Sequence, residues 1–182
     1  MSGYKLRLIL YTNIETYREI EVSDNITFKQ LHGLIQKLFN FDDYHMWKFE
    51  VPKTLPDGET VDLNNPIKTI EYDGAVDDEI CEIFEENEVL LYTYDFGDDW
   101  EIIVYNLEKT DYNNKTALIV DYVGKYSPMD DIGGIMVFEE IMESIDEPDE
   151  LEYVLSEYGL TKADLSKMDF EKKYKKGSRI RI

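Results

Sequence analysis

The sequence predicts an α+β domain built on a mixed, mostly antiparallel sheet, with helices gathered toward its C-terminal end. Three observations carry that expectation. Strand-like alternation opens the chain and recurs as far as Tyr122, and helical spacing dominates from Ile135 onward. No repeat, low-complexity linker or composition break separates the two stretches. The 182 residues, 43% hydrophobic and 13% aromatic, suffice for one domain with a substantial core.

The opening strand is Tyr4 to Tyr11, where Leu6, Leu8 and Leu10 alternate with Lys5, Arg7 and Ile9. A polar turn leads to Arg18 to Val22, with Ile20 and Val22 alternating with acids, so the two strands form a hairpin. Thr27 precedes Gln30 by three residues, a capping-box spacing. Phe28, Leu31, Leu34, Ile35, Leu38 and Phe39 then follow at helical intervals until Asn40. Asp42 and Asp43 make the next turn, and His45, Trp47, Phe49 and Val51 share one face of a third strand. This order is a β-grasp-like ββαβ start.

Pro52 to Pro66 reads as loop, with turn signals at Pro56-Asp57-Gly58 and Asn64-Asn65-Pro66. Val89 to Tyr94 and Trp100 to Leu107 form a hairpin, and Ala117 to Tyr122 adds a strand. Helices follow at Ile135 to Ile145 and across Leu151, Val154, Leu155 and Tyr158, stopped by Gly159. Leu165, Met168 and Phe170 mark a final short turn. The expected division is a domain over residues 1–160 and a basic tail over 161–182 that packs on it or trails from it.

The net charge of −21 is unevenly spread. Glu71 to Glu101 holds thirteen acids and Tyr126 to Thr161 eleven, neither with a Lys or Arg; Lys162 to Ile182 holds eight basic and three acidic residues. Such a charge disfavours nucleic acid and anionic membranes and favours basic proteins and divalent cations. The tail folds back on the acidic body, contacts an external anion, or stays loose. The single cysteine, Cys81, excludes an intrachain disulfide and a Cys-based zinc knuckle. Its acidic neighbours raise a thiol pKa, which suits structure better than nucleophilic chemistry. No apolar run reaches membrane-spanning length, and the expected setting is cytoplasmic.

The most informative stretch is Leu90 to Trp100, which sets three carboxylates, one glycine and four aromatic rings at the tip of a hairpin. Ordinary hairpins close with Asn-Gly or Asp-Gly. Three stretches together resemble the plasmid pRiA4b ORF-3-like family. They are Leu31-His32 with Phe39, Tyr44-His45 and Phe49; Tyr94-Asp95-Phe96-Gly97-Asp98-Asp99-Trp100; and Gly124 to Gly134, similar to a Pro-Pro-Glu-Asp-x-Gly-Gly block. The resemblance implies a compact α+β domain associated with mobile elements and carries no established activity.

Several side chains stand out as candidates. Asp95, Asp98 and Asp99 could ligate a hard cation. Alternatively, Asp95 and Asp98 accept hydrogen bonds from the turn's own amides while Gly97 takes positive φ. His32 and His45 both approach the helix–sheet seam, as an acid–base or metal pair or as buried rings bonded to carbonyls or tyrosines. Asp130 or Asp131 caps the helix that follows Gly133-Gly134, or joins Asp98, Asp99 and His45 in an acidic cleft.

The leading expectation is a protein-interaction module, not an enzyme. Its surface would be Tyr94, Asp95, Asp98, Asp99, Trp100, Asp130 and Asp131, and its partner a basic protein. The alternative is a metal-dependent hydrolase or nuclease-like enzyme, with a divalent cation as cofactor on His45, Asp98, Asp99 and Asp130. The third is a DNA-associated protein using Lys172 to Arg181, or a DNA mimic whose carboxylates imitate a phosphate backbone.

Overall fold

Alternation at the N-terminus builds β1 (Gly3–Leu10) and β2 (Tyr17–Ser23), antiparallel from Gly3↔Ser23 to Ile9↔Tyr17. Leu6, Leu8, Leu10, Ile20 and Val22 are buried along them. The capping box forms as its spacing requires. Thr27 Oγ1 accepts the Gln30 N–H at 3.2 Å, and Gln30 Oε1 accepts the Thr27 N–H at 2.9 Å. Helix α1 (Phe28–Phe39) follows, and Asn40 closes it in the left-handed region at φ 62°. Its whole apolar stripe is buried, with the Phe28 ring 5.3 Å from Phe49 on β3 (Trp47–Val51).

The computed structural model describes residues 2–54 and 61–182, so the turn expected at Pro56-Asp57-Gly58 lies outside the described residues. A small ribbon pairs β4 (Lys53–Thr54) with β5 (Val61–Asp62), followed by β6 (Lys68–Glu71) and the one-turn helix α2 (Cys81–Phe84). The long hairpin is β7 (Val89–Tyr94) and β8 (Trp100–Thr110), then β9 (Thr116–Val123). Helices α3 (Gly134–Glu143), α4 (Pro148–Glu157) and α5 (Lys162–Met168) come next, a 3-10 turn spans Phe170–Lys172, and β10 (Arg179–Arg181) follows.

The main sheet runs β10-β9-β2-β1-β8-β7-β3-β6, with its adjacent strands paired antiparallel. The fold is therefore α+β, with the ββαβ chain order at its start. In space β8 and β7 separate β1 from β3. The unforeseen elements are those too short for a periodic signal: β4, β5, β10, α2, and the edge strand β6 with Ile70 as its buried residue. Among the described residues, no helix is long and apolar enough to cross a membrane.

The chain after residue 160 lies on the sheet. Met168, Phe170 and Ile180 are buried, β10 pairs with β9, and Lys37 Nζ donates to Arg181 O at 2.8 Å. Lys176 meets Asp121 at 2.5 Å and Lys125 meets Asp169 at 3.6 Å. Beneath this segment sits Arg18, fully enclosed. It donates to Tyr17 O at 2.8 Å, to Val123 O, and to Ser127 Oγ at 3.0 Å. Its guanidinium lies 3.9 Å from the centroid of the Phe170 ring. Among the described residues no carboxylate stands within ion-pair distance of it, and burial pulls its pKa down to about 9. The ring face and the carbonyl dipoles therefore replace its water.

Phe170→Ala is expected to cost about 3–5 kcal/mol, because it removes a buried ring and uncovers a desolvated cation. Urea unfolding followed by tryptophan fluorescence measures this. A loss under about 1 kcal/mol would show that the C-terminal segment does not seal the core.

Candidate functional site

At one end of the sheet, the β7–β8 tip, the loop after α1 and the segment before α3 converge. The last ladder pair at the tip is Tyr94↔Trp100. Asp95 and Asp99 take the left-handed region at φ 54° and 55°, while Gly97 does not, contrary to the sequence expectation. Aspartate tolerates that region when its carboxylate binds nearby amides. Asp95 Oδ1 accepts the Gly97 N–H at 3.0 Å, and Asp95 N–H donates to Met46 O at 3.0 Å. Gly97 serves space instead, since a Cβ there would meet Asp95 Oδ1 at 3.2 Å.

Asp98 points across to the start of α3, and a Cβ on Gly134 would lie 3.7 Å from its Oδ1. The residue at the cap position is Gly133, at φ 97°, and neither Asp130 nor Asp131 fills that role. The hairpin tip therefore packs against the N-terminus of the helix. Burial and the nearby Asp95 charge raise the Asp98 pKa, against the pull of the Gly133 and Gly134 amides.

Asp130 has a different task. Its Oδ2 accepts the Tyr94 hydroxyl at 2.9 Å and the Asp42 N–H at 2.9 Å, while the Tyr94 oxygen accepts the Tyr44 N–H at 3.1 Å. Desolvation, with the adjoining carboxylate second, holds the Tyr94 phenol well above its ordinary pKa. Tyr94 and Trp100 are fully enclosed, Tyr94 against Phe41 at 4.7 Å and Trp100 edge-on to Phe138 at 6.4 Å. Both were expected on a binding surface; both are interior pillars.

A second network lies one turn inward. His32 Nε2 meets Asp43 Oδ1 at 2.8 Å, and Nδ1 meets the Tyr92 hydroxyl at 2.8 Å. Gln36 closes the ring, donating to Tyr92 Oη at 2.9 Å and accepting the Asp43 N–H at 2.9 Å. The imidazole also stacks on Trp47 at 4.2 Å. The neutral ring satisfies this network, and burial lowers the His32 pKa against the opposing pull of Asp43. Its members are 11 and 60 residues apart in the chain, so no local pattern announced them.

His45 stands at the mouth. Its Nε2 lies 3.6 Å from Asp95 Oδ2 and 3.6 Å from Asp131 Oδ1, and among the described residues these three form the group able to face one ion. Asp98, Asp99 and Asp130, expected to join His45, are not part of that group. Asp130 is already committed to the hydroxyl and amide above, Asp98 faces the start of α3, and Asp99 is exposed beyond the tip. Beside His45 opens a cleft of about 370 Å³ lined by His32, Tyr44, Met46, Trp47, Tyr72 and Val76 among others. Tyr44 is 81% exposed there, with Met46 and Tyr72 half exposed. The aromatic lining was not foreseen as a surface, because exposure of single aromatics leaves no trace in sequence spacing.

Three stretches set apart in the sequence thus meet at one place: Tyr44-His45, Tyr94 to Trp100, and the segment ending in Gly133-Gly134. The profile of the family described as plasmid pRiA4b ORF-3-like protein matches residues 3–172. The chain belongs to the plasmid pRiA4b ORF-3-like family. Among solved structures, the crystal structure of a protein of unknown function, MM3350, from Methanosarcina mazei Go1 is similar. It has 26% identity and a TM-score of 0.64, over 85% of this chain and 87% of that one. No curated protein matches the chain. For this pRiA4b ORF-3-like protein, the family profile thus covers the whole loop convergence and extends through the 3-10 turn.

Two outcomes follow from the two networks. Tyr94→Phe is expected to cost about 1–3 kcal/mol, since it strips a donor from buried Asp130 and an acceptor from the Tyr44 amide. A chemical melt checks it, and a neutral result would mean the knot reorganises freely. His32 has a folded-state pKa below its ordinary 6.5, so as pH falls the unfolded chain binds the proton first. Its contribution is complete above 6.5 and is lost as pH drops below that value. The fall in urea midpoint between pH 7.5 and 5.5 should be smaller in His32→Gln than in wild type; parallel curves would sink this assignment.

Proposed function

We propose that this pRiA4b ORF-3-like domain is a protein-interaction module without catalytic activity, and that its cleft beside His45 takes a basic partner segment bearing an apolar or aromatic anchor. The observation that carries the reading is the state of Tyr44. Its backbone N–H is fixed by the Tyr94 hydroxyl while its ring stands in solvent. A rigid backbone presenting a free aromatic loses little entropy on binding, the property of interface anchors. Met46, Tyr72 and Val76 supply the apolar wall. Asp43 supplies an exposed carboxylate in the lining, which also holds Lys29, and Asp131 another beside His45, on a chain of net charge −21 that steers basic partners inward. A cytoplasmic partner encoded with mobile DNA belongs to this proposal, supported by the plasmid in the family's description.

The test is fluorescence polarisation with labelled Lys/Arg-rich peptides, with and without a central Trp or Phe, at two salt concentrations. Anchored basic peptides are expected to bind, more weakly at high salt, and at least tenfold more weakly to Tyr44→Ala, which corresponds to about 1.4 kcal/mol or more. Tyr153→Ala, an exposed ring on α4, should change nothing. Equal binding of acidic peptides, or no effect of Tyr44→Ala, would rule the reading out.

A further inference from the structure

We propose that His45, Asp95 and Asp131 bind a divalent transition ion of the zinc or manganese class. The site does not depend on the docking cleft, because it is built from side chains of three loops that face one another. The imidazole Nε2 is 3.6 Å from each facing carboxylate oxygen, and the three donor atoms lie within 4.8 Å of one another. Those separations are too long for hydrogen bonds. The two 3.6 Å separations from Nε2 suit neighbouring donors in one coordination sphere, where bonds of about 2.0–2.2 Å set adjacent donors roughly 3–3.6 Å apart.

A second observation, separate from that spacing in the case of Asp130, concerns atoms left without partners. His45 Nε2, Asp98 Oδ2 and Asp130 Oδ1 are each enclosed and without a hydrogen-bond partner. Buried polar atoms are almost always partnered; of those left unpartnered at this loop convergence, Trp100 Nε1 is a donor that no cation would satisfy, whereas His45 Nε2 and Asp130 Oδ1 are acceptors that one would. Asp130, only 9% exposed, spends Oδ2 on Tyr94 and Asp42 and keeps Oδ1 free within electrostatic reach of His45. It would act as an outer partner to a charge held there.

The ligands are held before any ion arrives. Asp95 is fixed by its bonds to Gly97 and Met46, and Asp131 sits in the left-handed region at φ 60°. His45 follows Tyr44, whose amide is tied to Tyr94. The donor chemistry selects the ion. Calcium and magnesium favour all-oxygen shells, whereas one imidazole with two carboxylates suits zinc or manganese and neutralises a +2 charge. Asp131, with its side chain 81% exposed, leaves an open side for water or a ligand group.

The test is calorimetric titration of the chelator-treated full chain with zinc, manganese, magnesium and calcium chlorides, in about 0.15 M salt to screen the diffuse acidic field. One ion per chain is expected, with zinc or manganese at least tenfold tighter than calcium or magnesium. Asp131→Asn and His45→Gln should each weaken it at least tenfold, while Asp149→Asn with Glu150→Gln on α4 should not. Loss of the free manganese resonance signal at one equivalent gives the same readout without heat. Circular dichroism melts report whether each variant folds, and Asp131→Asn alone decides if His45→Gln does not. Several weak ions, no preference among the four, or indifference to Asp131→Asn would mean an adventitious ion only and overturn the proposal; so would no binding.

Discussion

The hydrogen bond from the Tyr94 hydroxyl to Asp130 holds the functional end of this domain together. Asp130 Oδ2 also takes the Asp42 amide, and the Tyr94 oxygen takes the Tyr44 amide, so two side chains join three segments far apart in sequence. The bond is buried, where a polar pair is strong when satisfied and costly when broken. His45 is positioned because Tyr44 is, and Asp131 because Asp130 is. The exposed chemistry of the site is thus an outer layer on an inner polar knot.

The opposite part of the sheet is secured differently. Arg18 carries an enclosed charge that no carboxylate among the described residues meets within ion-pair distance, and Phe170 supplies the ring above it. Ser127 links the two regions, accepting from Arg18 Nη2 and donating to Leu38 O, three residues ahead of Asp130 in the chain. The segment before α3 therefore has one end on the buried arginine and the other in the acidic loops. This coupling makes the C-terminal stretch part of the scaffold behind the site.

What was legible in the sequence was what depends on local periodicity. Thr27, Gln30 and Asn40 bounded α1, and the Tyr94–Trp100 segment read as a hairpin tip. The convergence of that tip with His45 and Asp131 was anticipated only in outline. Which aspartate does what was not, because the assignment follows from how the three loops pack in space. Asp98 goes to the α3 terminus and Asp130 to Tyr94, which leaves Asp95 and Asp131 facing His45. Trp100 and Tyr94 group with the candidate binding residues in the sequence, which leaves the exposure of the turn open, and both are fully enclosed. The Asp43–His32–Tyr92–Gln36 ring spans α1, its following loop and β7, a pattern that spacing along the chain does not encode.

The place of β1 has a consequence for how the chain acquires its shape. β1 sits mid-sheet and pairs on one side with β2 and on the other with β8, from Gly3↔Thr110 to Leu10↔Ile102. β1 is therefore synthesised about a hundred residues ahead of one of its two neighbours. Closing so long a loop adds entropy cost before any contact rewards it, and such non-local pairing is associated with slow folding. During that interval the β1–β2 hairpin exposes a free backbone edge where β8 will dock, the kind of edge on which chains pair with the wrong partner. Lys5 and Arg7, ion-paired to Glu19 on β2, are charged side chains carried on that waiting strand, a feature that disfavours edge-to-edge pairing between nascent copies until β8 arrives.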